Sequence, residues 1–140
     1  MAYIDTSVLV AYYCPEPLSA TAEKVIRGAD APAISPLTEV EFCSALAIKV
    51  RTRELNMKVA ERLLSQFRVH LEERLYRIVP VETKEYLLAA DWIGRFAVPL
   101  RAVGALHLAT AFSNGLELVT ADKNLARSAR HFGVEHVLIK

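Results

Sequence analysis

Short β-type runs alternate with helical stretches from one end of this chain to the other, and that alternation restricts the fold more than any other feature. Ala2-Tyr3-Ile4 makes a brief apolar strand, and a helix over residues 7–13 is closed off by Pro15 and Pro17. Ser19 is placed to cap a second helix ending near Gly28, and residues 31–34 read as a second strand. Ser35 and Pro36 then open a third helix. The serine oxygen can accept an orphan backbone N–H, and proline at the first helical position has none to satisfy. Asn56 caps a longer helix in which Val59, Leu63, Phe67, Leu71 and Leu75 recur about once per turn. Residues 76–81 read as a strand with Pro80 at its end or on a sheet edge, because proline cannot donate to a ladder. Thr83 caps a helix running to Phe96, and a helix of small residues spans about 102–113. Asn114-Gly115 turns into a strand over 116–119, Asp122 begins the last helix, Gly133 ends it, and residues 134–139 form a final strand.

Such alternation implies an α/β fold, with a mainly parallel central sheet of about five short strands covered by helices on both faces. At 140 residues, with no repeat, linker or low-complexity tract, the whole of 1–140 reads as one domain. In sheets of this kind ligands bind beyond the carboxyl ends of the strands, where the strand order reverses. Asp5 follows the first strand directly and Asp122 follows the fourth within a few residues, so both belong on that rim.

The apolar share of 53% is enough for a well-filled core, with apolar surface left for a partner. A net charge of +1 excludes strong global attraction to nucleic acid; any RNA contact must come from local patches and a bound cation. No secretory leader is expected ahead of Cys14 and Cys43, since Asp5 interrupts the opening apolar run. Two buried free thiols in a reducing cytoplasm is the expectation. Charged residues recur too often for a membrane span, so the protein is expected to be soluble and cytoplasmic.

Asp5, Glu41 and Asp122 are the acids of interest. Asp5 and Asp122 each stand just ahead of a helix, where capping alone accounts for an aspartate. Glu41 lies in a segment, 37–48, whose only polar residues are Thr38, Glu39, Glu41 and Ser44. A helix so apolar is expected to be buried on most sides, where an unpaired carboxylate is costly. Glu41 shares a face with Leu37, Ala45 and Ile48; Glu39 is the rival, and periodicity does not separate them.

Four motifs in order resemble those of PIN-domain nucleases, in particular VapC-type toxin ribonucleases of type II toxin–antitoxin pairs. Tyr3-Ile4-Asp5-Thr6-Ser7-Val8-Leu9 is similar to their opening, and Ser35-Pro36-Leu37-Thr38-Glu39-Val40-Glu41-Phe42 to their second motif, with the functional acid in the register of Glu41. Leu100-Arg101-Ala102-Val103-Gly104-Ala105-Leu106-His107-Leu108-Ala109-Thr110-Ala111 resembles the third, and Leu118-Val119-Thr120-Ala121-Asp122 the fourth. The resemblance covers essentially the whole chain. It implies a PIN domain that hydrolyses RNA to 3′-hydroxyl and 5′-phosphate ends with Mg²⁺ or Mn²⁺, Asp5, Glu41 and Asp122 holding the metal. It also implies a homodimer and a cognate antitoxin; the apolar stripes of the helices that begin at Ser19 and Asn56 exceed what so small a domain covers, and one such groove is expected to accept the antitoxin's amphipathic segment.

The chain departs from the pattern at Gly104, where the family has an aspartate ligand. Glycine supplies no ligand and weakens a helix, so metal binding and cleavage are expected to be reduced. The alternative is a catalytically crippled PIN protein that serves as an antitoxin-binding and autoregulatory module. Ser7 and Thr120, beside the acids, are supporting candidates that would orient a carboxylate or a metal-bound water, with capping an equal account of Ser7. His107 lies three residues past Gly104 and can face the pocket as a proton shuttle, but a hydrogen-bonded histidine in a packed helix is the favoured reading. Lys49, Arg51 and Arg53 suit the end of the third helix, and Arg127, Arg130 and His131 are candidates to flank the groove beyond Asp122.

Overall fold

The computed structural model describes residues 1–140. Five strands, β1 (Ala2–Ile4), β2 (Ala33–Ile34), β3 (Arg77–Ile78), β4 (Glu117–Thr120) and β5 (His136–Leu138), form one sheet in the order β3-β2-β1-β4-β5. Every neighbouring pair is parallel. The connections are α1 (Thr6–Tyr13), α2 (Ser19–Gly28), α3 (Pro36–Arg51), α4 (Met57–Glu72), α5 (Thr83–Ile93), α6 (Ala102–Ser113) and α7 (Lys123–His131). The expected α/β architecture is the one observed.

Helices cover both faces because successive strand residues point to opposite sides. Tyr3 stands opposite Ala33 and Leu118, and all three enter one core with α5, α6 and α7. Ile4, Ile34 and Val119, one residue on, enter a second core with α1 to α4. In that second core Tyr13 packs edge to face on Phe42 and Phe67, Phe67 packs at a tilt on Phe42 and Tyr76, and the Tyr13 and Tyr76 hydroxyls are 2.7 Å apart.

Several local expectations are corrected. Strands expected over 31–34 and 76–81 shrink to two residues each, because only Ala33–Ile34 and Arg77–Ile78 find ladder partners, and Pro32 and Pro80 flank them. The cap of α5 is Glu82, not Thr83: its side chain accepts from the third helical N–H while Glu85 Oε1 accepts from Glu82 N–H at 3.0 Å. That helix stops at Ile93 because Phe96 takes a positive φ of 54°. Ser35 and Asn56 cap as expected, Ser35 in a capping box with Thr38.

Helix α3 departs most. Only Thr38, Phe42 and Leu46 are buried, while Val40 and Ile48 are 70% and 48% exposed. Helix α3 packs chiefly against α1 and α4, and Val40 and Ile48 point away from both cores. Cys14 is buried and Cys43 only half-buried, both as free thiols. No helix is long and apolar enough to cross a membrane.

Candidate active site

The chain runs from β1 to β2 and β3 on one side, then returns to place β4 and β5 on the other. The order therefore reverses between β1 and β4, and the crevice at their carboxyl ends is where such a sheet opens to a ligand. Asp5 is fixed at this point by its backbone N–H, which donates to Val119 O at 3.0 Å and extends the β1–β4 ladder by one bond.

Asp5 holds the N-cap position of α1, yet its side chain makes no capping bond. Its Oδ2 instead accepts from Ser7 Oγ at 2.6 Å and from Thr120 Oγ1 at 2.8 Å. Those two hydroxyls are themselves held in place, Ser7 Oγ accepting from Ala121 N–H and Thr120 Oγ1 from Asp122 N–H. With both hydroxyl protons directed at one oxygen, Asp5 Oδ1 is left facing the cleft and His107 Nε2, 3.9 Å away. The capping account of Asp5 fails for this reason, and Ser7 likewise spends its hydroxyl on Asp5 and not on a helix end.

Asp122 behaves differently. Its Oδ1 accepts from Asn124 N–H and Leu125 N–H at 2.8 and 3.2 Å, a true cap of α7. The residue still lines the same cleft, of about 700 Å³, as Asp5, Ser7, Glu41 and Gly104.

Glu41 and Glu39 are separated by the structure. Glu39 turns outward to an ion pair with Arg68 at 3.2 Å. Glu41 faces the cleft with its side chain 36% exposed, and its Oε1 lies 2.7 Å from His107 Nε2. Burial pushes the Glu41 carboxyl up, but hydrogen bonds to His107 and Thr6, with the charge of His107, outweigh burial and leave it below the usual carboxylate range.

His107 is fully buried on α6, its Nδ1 2.6 Å from the Tyr3 hydroxyl. The bland expectation of a hydrogen-bonded histidine is correct as far as it goes; what sequence did not reveal is that its partner is Glu41. Carboxylate oxygens of Asp5 and Glu41 and a ring nitrogen of His107 all lie within 4.8 Å of one another, and Asp122 stands outside this knot. Two carboxylates converging at the floor of an open cleft form a donor set that suits a hard divalent cation. The residues present therefore fit such an ion.

Gly104 sits in the cleft wall with a helical backbone, one turn before His107. A Cβ built there would meet only Leu125 Cδ1, at 3.5 Å, an ordinary contact. Close packing does not require the glycine. Arg101, the N-cap of α6, also lines the cleft and is its one cation; only its place just ahead of a helix start hinted at this. Arg127, Arg130 and His131 do not line the cleft, and Arg130 belongs to a shallow hollow with Glu117 and His136, at the other end of β4 and β5. Lys49, Arg51 and Arg53 are likewise absent from the cleft wall, and Lys49 pairs with Glu54.

The family model for the PIN domain matches residues 2–131, from β1 through α7. The chain belongs to the PIN domain family. No functionally curated protein matches it significantly. Solved structures that share its fold include PIN proteins of toxin–antitoxin systems. One is VapC20 of Mycobacterium tuberculosis, a toxin that cleaves the sarcin-ricin loop: 16% identity over 91% of this chain and 95% of that one, TM-score 0.70. Another is VapBC2 of Rickettsia felis bound to promoter DNA, at 14% identity over the full length of both chains, TM-score 0.72. PAE2754 of Pyrobaculum aerophilum is 26% identical over 98% of this chain and 84% of its own, TM-score 0.69. The cleft of this PIN domain is lined by Asp5, Glu41 and Asp122, with glycine at residue 104.

Proposed function

We propose that this PIN protein is a metal-dependent endoribonuclease, the toxin of a VapBC-type toxin–antitoxin pair, whose activity is lowered by Gly104. The observation that carries the reading is the convergence of Asp5 and Glu41 at the sheet's switch point, with Asp122 on the same cleft. Mg²⁺ or Mn²⁺ would be held by Asp5 and Glu41, with Asp122 contributing its free oxygen. When bound, such an ion supplies Lewis-acid chemistry, polarising a phosphodiester and making water a better nucleophile.

The protein's own residues do the rest. Ser7 and Thr120 orient Asp5, His107 fixes Glu41, and the Asp122 cap ties α7 to the rim. Arg101 offers the cleft's positive charge to an RNA phosphate. The open wall at Gly104 leaves one carboxylate fewer than the family pattern has. The partners proposed are an RNA substrate, a cognate antitoxin and a second copy of the chain, acting in the cytoplasm. The toxin–antitoxin proteins among its structural neighbours support the antitoxin.

The test compares RNA cleavage by the parent protein, by Gly104→Asp, and by Gly104→Asp carrying Glu41→Gln, with Mn²⁺ and with a chelator. Gly104→Asp should cleave at least about 10-fold faster than the parent, since even indirect losses at a metal site cost 10–100-fold. Glu41→Gln and the chelator should each abolish the gain. Equal cleavage by parent and Gly104→Asp contradicts the attenuation. The alternative, an antitoxin-binding and autoregulatory module, is favoured by the same glycine; it predicts no cleavage even by Gly104→Asp, but tight co-purification with the antitoxin.

A further inference from the structure

A line of hydrogen bonds runs from the start of α3 through the core to the cleft. Ser35 Oγ is 2.8 Å from the Tyr3 hydroxyl, that hydroxyl is 2.6 Å from His107 Nδ1, and His107 Nε2 is 2.7 Å from Glu41 Oε1. Tyr3 and His107 are both fully buried, so no water competes with these bonds. Three acceptors surround Nε2, and distance ranks them: Glu41 Oε1 at 2.7 Å, Thr6 Oγ1 at 3.3 Å, Asp5 Oδ1 at 3.9 Å.

The directions follow from what each atom can do. An ionised carboxylate only accepts, so Nε2 carries the proton and donates to Glu41. The Tyr3 hydroxyl then shares one hydrogen bond with Nδ1 at 2.6 Å and one with the Ser35 hydroxyl at 2.8 Å. Burial pushes the Tyr3 phenol above its ordinary pKa and keeps that proton in place. Ser35 is itself locked in the capping box of α3, the helix that carries Glu41. Both ends of the line therefore belong to one helix, and α6 is clamped between them.

We propose that His107 is a positioning residue: anchored by Tyr3 and Ser35, it holds the Glu41 carboxylate in the orientation that binds a divalent cation, without itself ligating the ion. Glu41 is only partly buried and projects from one helix, and apart from the Thr6 hydroxyl the buried His107 ring is the donor that restrains it. Gly104 raises the importance of the restraint, because a site with one acid fewer has less redundancy to keep Glu41 in place. The cation half of the proposal rests on the metal-site reading above.

The experiment uses the full chain and Mn²⁺ as the probe. Calorimetry gives Mn²⁺ affinity for the parent, His107→Leu, His107→Gln and Tyr3→Phe, in both the Gly104 and Gly104→Asp backgrounds, with thermal melts to confirm folding. His107→Leu should bind Mn²⁺ about 10–100-fold more weakly, and His107→Gln, whose amide N–H reaches a similar place, should recover most of that loss. Tyr3→Phe, whose altered atom is two bonds of the line away from the ion, should weaken binding by a smaller factor. Pulsed EPR of bound Mn²⁺ should show no coordinated nitrogen. Unchanged affinity in a folded His107→Leu protein overturns the proposal, and so does a nitrogen coupling lost with His107. Imidazole ¹⁵N NMR of the metal-free protein tests the geometry separately: a protonated Nε2 is expected, and an unprotonated one overturns the line. If neither background binds Mn²⁺ while Nε2 is protonated, the metal-site reading fails, and with it the cation half of the proposal; the hold on Glu41 is then all that stands.

Discussion

Gly104 separates the packing of this cleft from its chemistry. Since an added Cβ meets only Leu125 Cδ1, Gly104→Ala should change the backbone's freedom and nothing else. Within a helix that exchange is expected to stabilise by about 0.5–1 kcal/mol, read as a higher melting temperature, with no gain in RNA cleavage. A gain equal to that of Gly104→Asp would mean that helix stability, not a ligand, limits activity. Glu41 makes a second prediction at this scale. Its carboxyl is held low in the folded protein, so its charge stabilises fully above the unfolded value of about 4.3, and this contribution is lost as pH falls through the folded value. Without metal, the parent should lose stability relative to Glu41→Gln as pH falls below the unfolded value of about 4.3, measured as urea midpoints; a constant gap contradicts the shift. The acids themselves were legible, but their present duties were not. Asp5 and Asp122 look alike in sequence, and only the hydroxyls that claim Asp5 Oδ2, from Ser7 two residues on and from Thr120 at the end of β4, separate the aspartate that caps from the one that does not. His107 is legible as a hydrogen-bonded histidine, but its partners Tyr3 and Glu41 are not, because they lie 104 and 66 residues away.

Elements were most legible where a local bond defines them. Ser35 with Pro36, and Asn56, mark helix starts because the capping oxygen and its N–H lie within one turn. Strands β2 and β3 were overestimated because their length depends on what lies alongside, which composition does not reveal. Helix α3 departs most for the same reason: its apolar sequence implies burial on most sides, but its neighbours α1 and α4 leave the side bearing Val40 and Ile48 open. Val40 and Ile48 remain exposed on the helix that also carries Glu41, and an apolar face of this kind suits a second copy of the chain. Replacing both with lysine should convert a dimer to a folded monomer at micromolar concentration, as judged by light scattering with circular dichroism. A parent protein that is already monomeric there contradicts the homodimer.

At the scale of the whole molecule the argument is topological. Five parallel strands in the order β3-β2-β1-β4-β5 place the ends of β1 and β4 side by side, which brings residue 5 within hydrogen-bonding reach of residue 120. Helix α3 lays Glu41 over the same rim, and α6 lays His107 beneath it and opens a gap at residue 104. The alternation of strands and helices made the fold class legible, and the fold class made the rim legible. The closeness of Asp5 and Glu41, and the standing of Asp122 apart from them, depended on packing that no single segment records. Diffraction from Gly104→Asp crystals grown with Mn²⁺, collected for the manganese anomalous signal, tests the central claim most directly. The account predicts one peak in the cleft bonded to the carboxylates of Asp5 and Glu41; manganese found only elsewhere, or a cleft with no peak at saturating Mn²⁺, would contradict it.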